Sequence, residues 1–131
     1  MKVCVLIVDD HAIIRKMLRS LFESGDFEVC EATNGAEGVQ QAKSLSPALV
    51  VLDLSMPVMN GLDAARALKL IMPLVPLLMF TNHSGSALNK EARAAGVSAI
   101  VSKSESDSAR QLLAHARTLL GLEGVQSQSV S

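Results

Sequence analysis

Short, largely apolar runs alternate with longer stretches of helical periodicity five times along this 131-residue chain, and that alternation constrains the fold more than any other feature. Val3 to Val8 is an uninterrupted apolar run, as expected of a strand covered on both faces. From Ala12 to Phe22 the residues Ile14, Met17, Leu18, Leu21 and Phe22 recur at helical spacing, with Gly25 as the stop signal. Phe27 to Ala32 reads as a second strand, and Thr33 or Asn34 can cap a helix reaching about Ser44, with Val39 and Ala42 inward. Ala48 to Leu52 is a third buried strand and Gly61 to Leu70 a third helix. Pro73 and Pro76 frame the passage into a fourth strand, Leu77 to Phe80. Ser86 to Ala95 gives a helix ended by Gly96, Ala99 to Val101 a fifth strand, and Asp107 to Leu120 a last helix with Leu112, Leu113, Ala116, Leu119 and Leu120 as its stripe.

Near-continuous apolar strands joined by crossover helices point to an α/β fold, a parallel sheet with helices on both sides. In such sheets ligands bind beyond the carboxyl ends of the strands. The length suits one domain, over residues 1–120. Residues 121–131 lose periodicity and turn polar, as a tail or as the start of a linker to a C-terminal output domain. A net charge of −1 argues against an extended basic footprint, so no direct nucleic-acid binding is expected. Trp and Tyr are absent and Phe occurs three times, which removes most stacking platforms for bases. Cys4 and Cys30 sit inside apolar runs and read as small buried hydrophobes in a reducing compartment. The opening apolar stretch is short and runs into acids, and Pro73 and Pro76 break the one around Ile71 to Phe80, so a cytoplasmic chain without a membrane span is expected.

Polar residues fall where the strands end: Asp9 and Asp10 after the first, Asp53 after the third, Thr81 and Asn82 after the fourth, Lys103 after the fifth. Three carboxylates in one partly buried pocket repel one another unless a cation compensates them. A hard divalent ion such as Mg²⁺ suits an all-oxygen site, with Asp10 and Asp53 as direct ligands and Asp9 reaching the ion directly or through water. The set matches phosphoryl transfer: Asp53 as nucleophile forming an acyl phosphate, with Lys103 and Thr81 collecting phosphoryl oxygens. Taken singly, Asp9 and Asp10 also read as N-caps of the following helix and Lys103 as a solvated surface lysine. His11 and His83 lack a third nitrogen or sulfur partner and do not make a structural zinc site. His115 reads as an ordinary residue of the last helix.

These motifs together, Val8-Asp9-Asp10, the apolar run into Asp53 followed by Met56, Pro57 and Gly61, then Thr81 and Lys103, resemble the receiver domain of bacterial two-component response regulators. The resemblance covers roughly Lys2 to Leu120. It implies a flavodoxin-like, doubly wound, five-stranded sheet of order 2-1-3-4-5 with five helices. It further implies that Asp53 accepts a phosphoryl group from a sensor histidine kinase, a phosphotransfer protein or a small phosphodonor, with Mg²⁺ held by Asp10, Asp53 and the Ser55 backbone carbonyl and assisted by Asp9. Thr81 takes the family's hydroxyl position and Lys103 its lysine position. Self-phosphorylation and self-dephosphorylation, rather than turnover of a substrate, would be the only chemistry. The output would run through the face of the fourth helix, fifth strand and fifth helix to an effector protein, an output domain or a phosphorylation-dependent homodimer.

Three positions depart from the family pattern. Ile100 stands where the family usually has a switch aromatic, so aromatic rotamer coupling to Thr81 is impossible there. Asn82, where the family often has Ala or another small residue, is expected to affect the phosphoryl lifetime, and Asn82 and Ser55 to bear on access to the phosphoryl group. Lys103 precedes Ser104 rather than Pro, so a trans bond is expected. The Val8-Asp9-Asp10-His11 opening is similar to receivers that carry helix-turn-helix output domains. The alternative within the fold is an interaction module or phosphate sink with weak or absent switching. A hydrolase using an aspartyl phosphate lacks a cap domain and a further acid/base group here, and no nucleotide-binding glycine motif follows the first strand.

Overall fold

The computed structural model describes residues 2–122. Five strands, β1 (Cys4–Val8), β2 (Glu28–Ala32), β3 (Leu49–Leu52), β4 (Leu77–Thr81) and β5 (Ala99–Ser102), alternate with five helices, α1 (Ala12–Ser24), α2 (Gly35–Leu45), α3 (Gly61–Ile71), α4 (Ser86–Ala94) and α5 (Ser108–Leu119). The sheet is parallel throughout, in the order β2-β1-β3-β4-β5. This is the expected flavodoxin-like arrangement. Strands β4 and β5 each run one residue further than the apolar runs suggest, because Thr81 and Ser102 still pair with each other in the ladder.

Strand side chains alternate between two cores, so continuous apolar runs are required. Leu6, Val8, Val50, Leu52, Leu77 and Met79 face one way, against Ala42, Ala64, Ala65, Leu68 and Ala92 of α2, α3 and α4. Val5, Ile7, Leu49, Val51, Leu78 and Phe80 face the other, against Leu18 and Phe22 of α1 and Leu112 and Ala116 of α5. With so few aromatics, small helix residues bring backbone close to sheet: a Cβ on Gly38 would lie 2.9 Å from both Val8 methyls. The two cysteines, expected to be buried, are only half-buried; they are free thiols with sulfurs 3.8 Å apart, and burial pushes the Cys4 thiol up to about 11.

Helix ends decide how the chain enters the functional edge. Asn34 caps α2 and Asn60 caps α3, each side-chain oxygen accepting from the backbone N–H three residues on. Gly96 ends α4 as expected, at φ +97° and with the paired bonds Gly96 N to Arg93 O and Val97 N to Ala92 O. Helix α1 differs. Gly25 has φ −88°, and the left-handed residue is Asp26 at φ 71°, which closes the same pair of bonds onto Glu23 and Phe22. Aspartate tolerates that conformation better than most residues. Among the described residues all peptide bonds are trans, Lys103–Ser104 included, and no helix is long and apolar enough to cross a membrane.

Candidate functional site

Because the strands are parallel, residues that follow them meet at one edge. Asp9 follows β1, Asp53 follows β3, Thr81 closes β4 and Lys103 follows β5. Backbone bonds continue the ladder past the strand ends: Asp9 N–H donates to the Ala32 carbonyl at 3.1 Å, Asp53 N–H to Val8 at 3.0 Å and Lys103 N–H to Thr81 at 2.9 Å. The side chains therefore leave a rigid frame.

Asp9 is 2% exposed and Asp53 4%, so both carboxylates lie out of bulk water. Lys103 reaches over the Phe80 ring, 5.7 Å from its centroid, and places Nζ 3.0 Å from Asp9 Oδ2 and 3.3 Å from Asp53 Oδ2. One ammonium thus faces two buried carboxylates. Burial, together with the Asp9 charge, pushes the Asp53 carboxyl above its ordinary range, against the opposing pull of Lys103 and of the Leu54 N–H that donates to Oδ1 at 2.8 Å. Asp10 lies exposed at the rim. The His11 ring nitrogen Nδ1 lies 3.2 Å from Asp9 Oδ1 and 3.1 Å from Asp10 Oδ1. One donor atom from each of Asp9, Asp10, His11 and Asp53 falls within 4.8 Å of the others, and such a cluster can coordinate a metal ion. Three carboxylates and a single nearby ammonium form the donor chemistry that a divalent ion fits.

Asp9 and Asp10 do not take the N-cap of α1. His11 occupies it without a side-chain cap, and its N–H donates to Asp9 Oδ1 at 2.9 Å. Nor is Lys103 a solvated lysine. On the far side, the loop after Asp53 is tightly fixed. Met59 N–H bonds back to the Pro57 carbonyl at 2.7 Å around Val58 at φ 68°, a γ-turn of the strained hand. Gly35 and Gly61 clamp this loop: a Cβ on Gly35 would lie 2.3 Å from the Met59 carbonyl oxygen, and one on Gly61 2.2 Å from that of Asp53. Asp10, Leu54, Ser55, Met56 and Asn60 line an open depression between loop and cluster.

Thr81 is buried, and its hydroxyl oxygen accepts from His83 N–H at 3.2 Å. His83 then crosses the mouth of the site to Ser55, Nε2 to Oγ, at 2.9 Å, while Asn82 is exposed between them in sequence. Ile100 is half-buried, level with Met79 in the sheet. Sequence reasoning brought Asp9, Asp10, Asp53, Thr81 and Lys103 to this edge but gave no part to His11, His83 or Gly35. The proximity of His11 to two acids in sequence was a usable sign; the contacts of the other two depend on loop geometry.

The lopsided charge has a measurable consequence. A carboxyl raised above its unfolded value favours folding only while protonated, and this contribution is lost as pH rises through the folded pKa. Without divalent ions, Asp53→Asn is accordingly expected to stabilise the fold at pH 7 by about 1–2 kcal/mol, the size of other relieved functional strains. The advantage should shrink as pH falls through the raised pKa of Asp53. Urea denaturation of both proteins across pH checks this, and an advantage that grows toward acid would contradict it.

Residues 5–117 match the family of the response regulator receiver domain. The chain is 39% identical over 100 residues to the chemotaxis protein CheY of Thermotoga maritima, covering 76% of this chain and 83% of that one. It is 38% identical over 114 residues to a protein-glutamate methylesterase/protein-glutamine glutaminase of Idiomarina loihiensis, covering 84% of this chain but only 29% of the methylesterase. Its fold is similar to Vibrio cholerae chemotaxis protein CheY4 with a TM-score of 0.85 and 26% identity, over 91% of this chain and 99% of that one. Fold, sheet-edge geometry and these likenesses agree: the chain belongs to the response regulator receiver domains and carries their general phosphoacceptor signalling function.

Proposed function

We propose that Asp53 is the phosphoacceptor of a two-component signalling switch, taking its phosphoryl group from a sensor histidine kinase or a phosphotransfer protein. The observation that supports this most is the buried Asp53 carboxylate, 3.3 Å from the Lys103 ammonium and clustered with Asp9, Asp10 and His11. A carboxylate oxygen attacks phosphorus in line, the O–P bond of an acyl phosphate forms as the donor's N–P bond breaks, and the electron pair stays on the imidazole nitrogen, which takes up a proton. Lys103 turns from carboxylate toward phosphoryl oxygen, and Thr81, whose oxygen already accepts from His83 N–H, donates its hydroxyl proton to another. Mg²⁺ held by Asp10, Asp53 and the Ser55 carbonyl, with Asp9 assisting, would supply Lewis-acid neutralisation of the incoming charge. Asn82 and Ser55 border the approach of water and set the phosphoryl lifetime.

The product adds roughly −1.5 to −2 charge to the site, by analogy with other protein phosphoryl groups. Thr81 and the loop after β4 respond, and the face of α4, β5 and α5 reads the change, passing it to an effector, an output domain or a second copy. Ile100 favours a second reading, a phosphate sink or interaction module with little switching. It lines a cleft of about 380 Å³ with Arg93 and His115 but has no ring to swing inward. Mg²⁺ plus a small acyl-phosphate donor should add one phosphoryl mass to the parent and none to Asp53→Asn; a full gain in that variant removes Asp53 from the role. Methyl NMR with beryllofluoride separates the two readings, since only a switch moves Ile100 and its neighbours on α4.

A further inference from the structure

We propose that His11 is a nitrogen donor of the acidic pocket, so that in this chain the site holds nitrogen-preferring first-row ions such as Ni²⁺, Co²⁺ and Zn²⁺ as mixed nitrogen and oxygen complexes. The inference rests on the metal-holding role given to Asp9, Asp10 and Asp53 above and adds a ligand of different chemistry to it.

Two features bring the ring there. As N-cap of α1, His11 has an extended backbone, φ −91° and ψ 112°, and its N–H is tied to Asp9 Oδ1 at 2.9 Å, which fixes where its side chain starts. The ring then turns Nδ1 toward Asp9 Oδ1 and Asp10 Oδ1, at 3.2 and 3.1 Å. The point within reach of Nδ1 and of both carboxylate oxygens is the kind of position a bound cation takes. The lone pair of Nδ1 would join the oxygens there, and all four donor groups already fit within 4.8 Å. Arg15 holds the same corner from behind, donating from its guanidinium to the Asp9 carbonyl at 2.8 Å, so backbone movement is not needed to form the set. Oxygen donors alone favour Mg²⁺ or Mn²⁺, whereas an imidazole raises affinity along the series toward Ni²⁺ and Zn²⁺ and does little for Mg²⁺. The ring is open to solvent, so it can turn onto the ion without displacing packed side chains.

Calorimetric titration of the unphosphorylated protein with Mg²⁺ and with Ni²⁺, in parent and His11→Gln, tests this. The variant should lose about tenfold or more of its Ni²⁺ affinity, the usual scale for removing a metal-site partner, and that loss should exceed its loss for Mg²⁺ by a comparable factor. With ring ¹⁵N labelling, Zn²⁺ should shift the Nδ1 resonance of His11 in the parent. Equal losses for both ions, or an unmoved Nδ1 resonance, overturn the inference. If Mg²⁺ binds and the acyl-phosphate reaction proceeds while Ni²⁺ affinity is indifferent to His11, the donor role fails alone. If neither ion binds the parent, the metal-holding role of the carboxylates fails with it.

Discussion

Lys103→Met should cost about 3 kcal/mol of folding stability in metal-free buffer at pH 7, the low end for stranding buried charge by removing its partner. Methionine preserves most of the apolar stem over Phe80, so the loss reports the ammonium and not the packing. Asp9 and Asp53 are left facing each other almost out of water, without the Nζ that lies 3.0 and 3.3 Å from them. The sign in pH follows from the carboxyls. With the ammonium gone, burial and mutual repulsion push Asp53 up further, so acid, by protonating it, restores stability to the variant more than to the parent. Combining Lys103→Met with Asp53→Asn should recover much of the loss, because only Asp9 then remains charged. Urea denaturation of the four proteins of this cycle at several pH values measures it. A double variant no more stable than the sum of the two single effects would mean that Lys103 stabilises the fold through something other than these carboxylates.

The two carboxylates and the lysine were legible because a parallel sheet turns sequence position into spatial position. Continuous apolar runs mark doubly covered strands, and whatever polar residue stops each run lands at the same edge as the others. Asp53 after Leu52 and Lys103 after Ser102 follow from that rule although they are far apart in sequence. What was not legible depends on side-chain geometry or on loops. Gly25 looks like a left-handed terminator, yet a Cβ there would lie 3.2 Å from Leu113, and the left-handed turn passes to Asp26. The bond from His83 to Ser55 joins two loops 28 residues apart, and no periodicity reaches across loops. His11 was set aside for want of nitrogen or sulfur partners, because the direction of its ring toward two carboxylates follows from a cap geometry that the residue order does not encode.

Gly61→Ala should be the most damaging single-methyl change in the loop. The φ of Gly61 is not in the left-handed region, so conformational freedom is not why glycine stands there; space is. The added Cβ would lie 2.2 Å from the Asp53 carbonyl oxygen and 2.9 Å from the Leu54 Cα, both backbone atoms that no side-chain rotation can clear. Either α3 backs away, breaking the 2.8 Å bond from Gly61 N–H to the Leu54 carbonyl, or the chain at Asp53 moves. The first costs about 3 kcal/mol, the upper range for overpacking. The second spares stability but displaces the carboxylate proposed to attack, and a misplacement of about 1 Å can cost about 10²-fold in rate. A variant that keeps its denaturation midpoint should therefore lose its acyl-phosphate reaction, and one that keeps the reaction should lose stability. Retention of both would show that the loop behind Asp53 yields without consequence, and that the rigidity ascribed to this carboxylate comes from β3 alone.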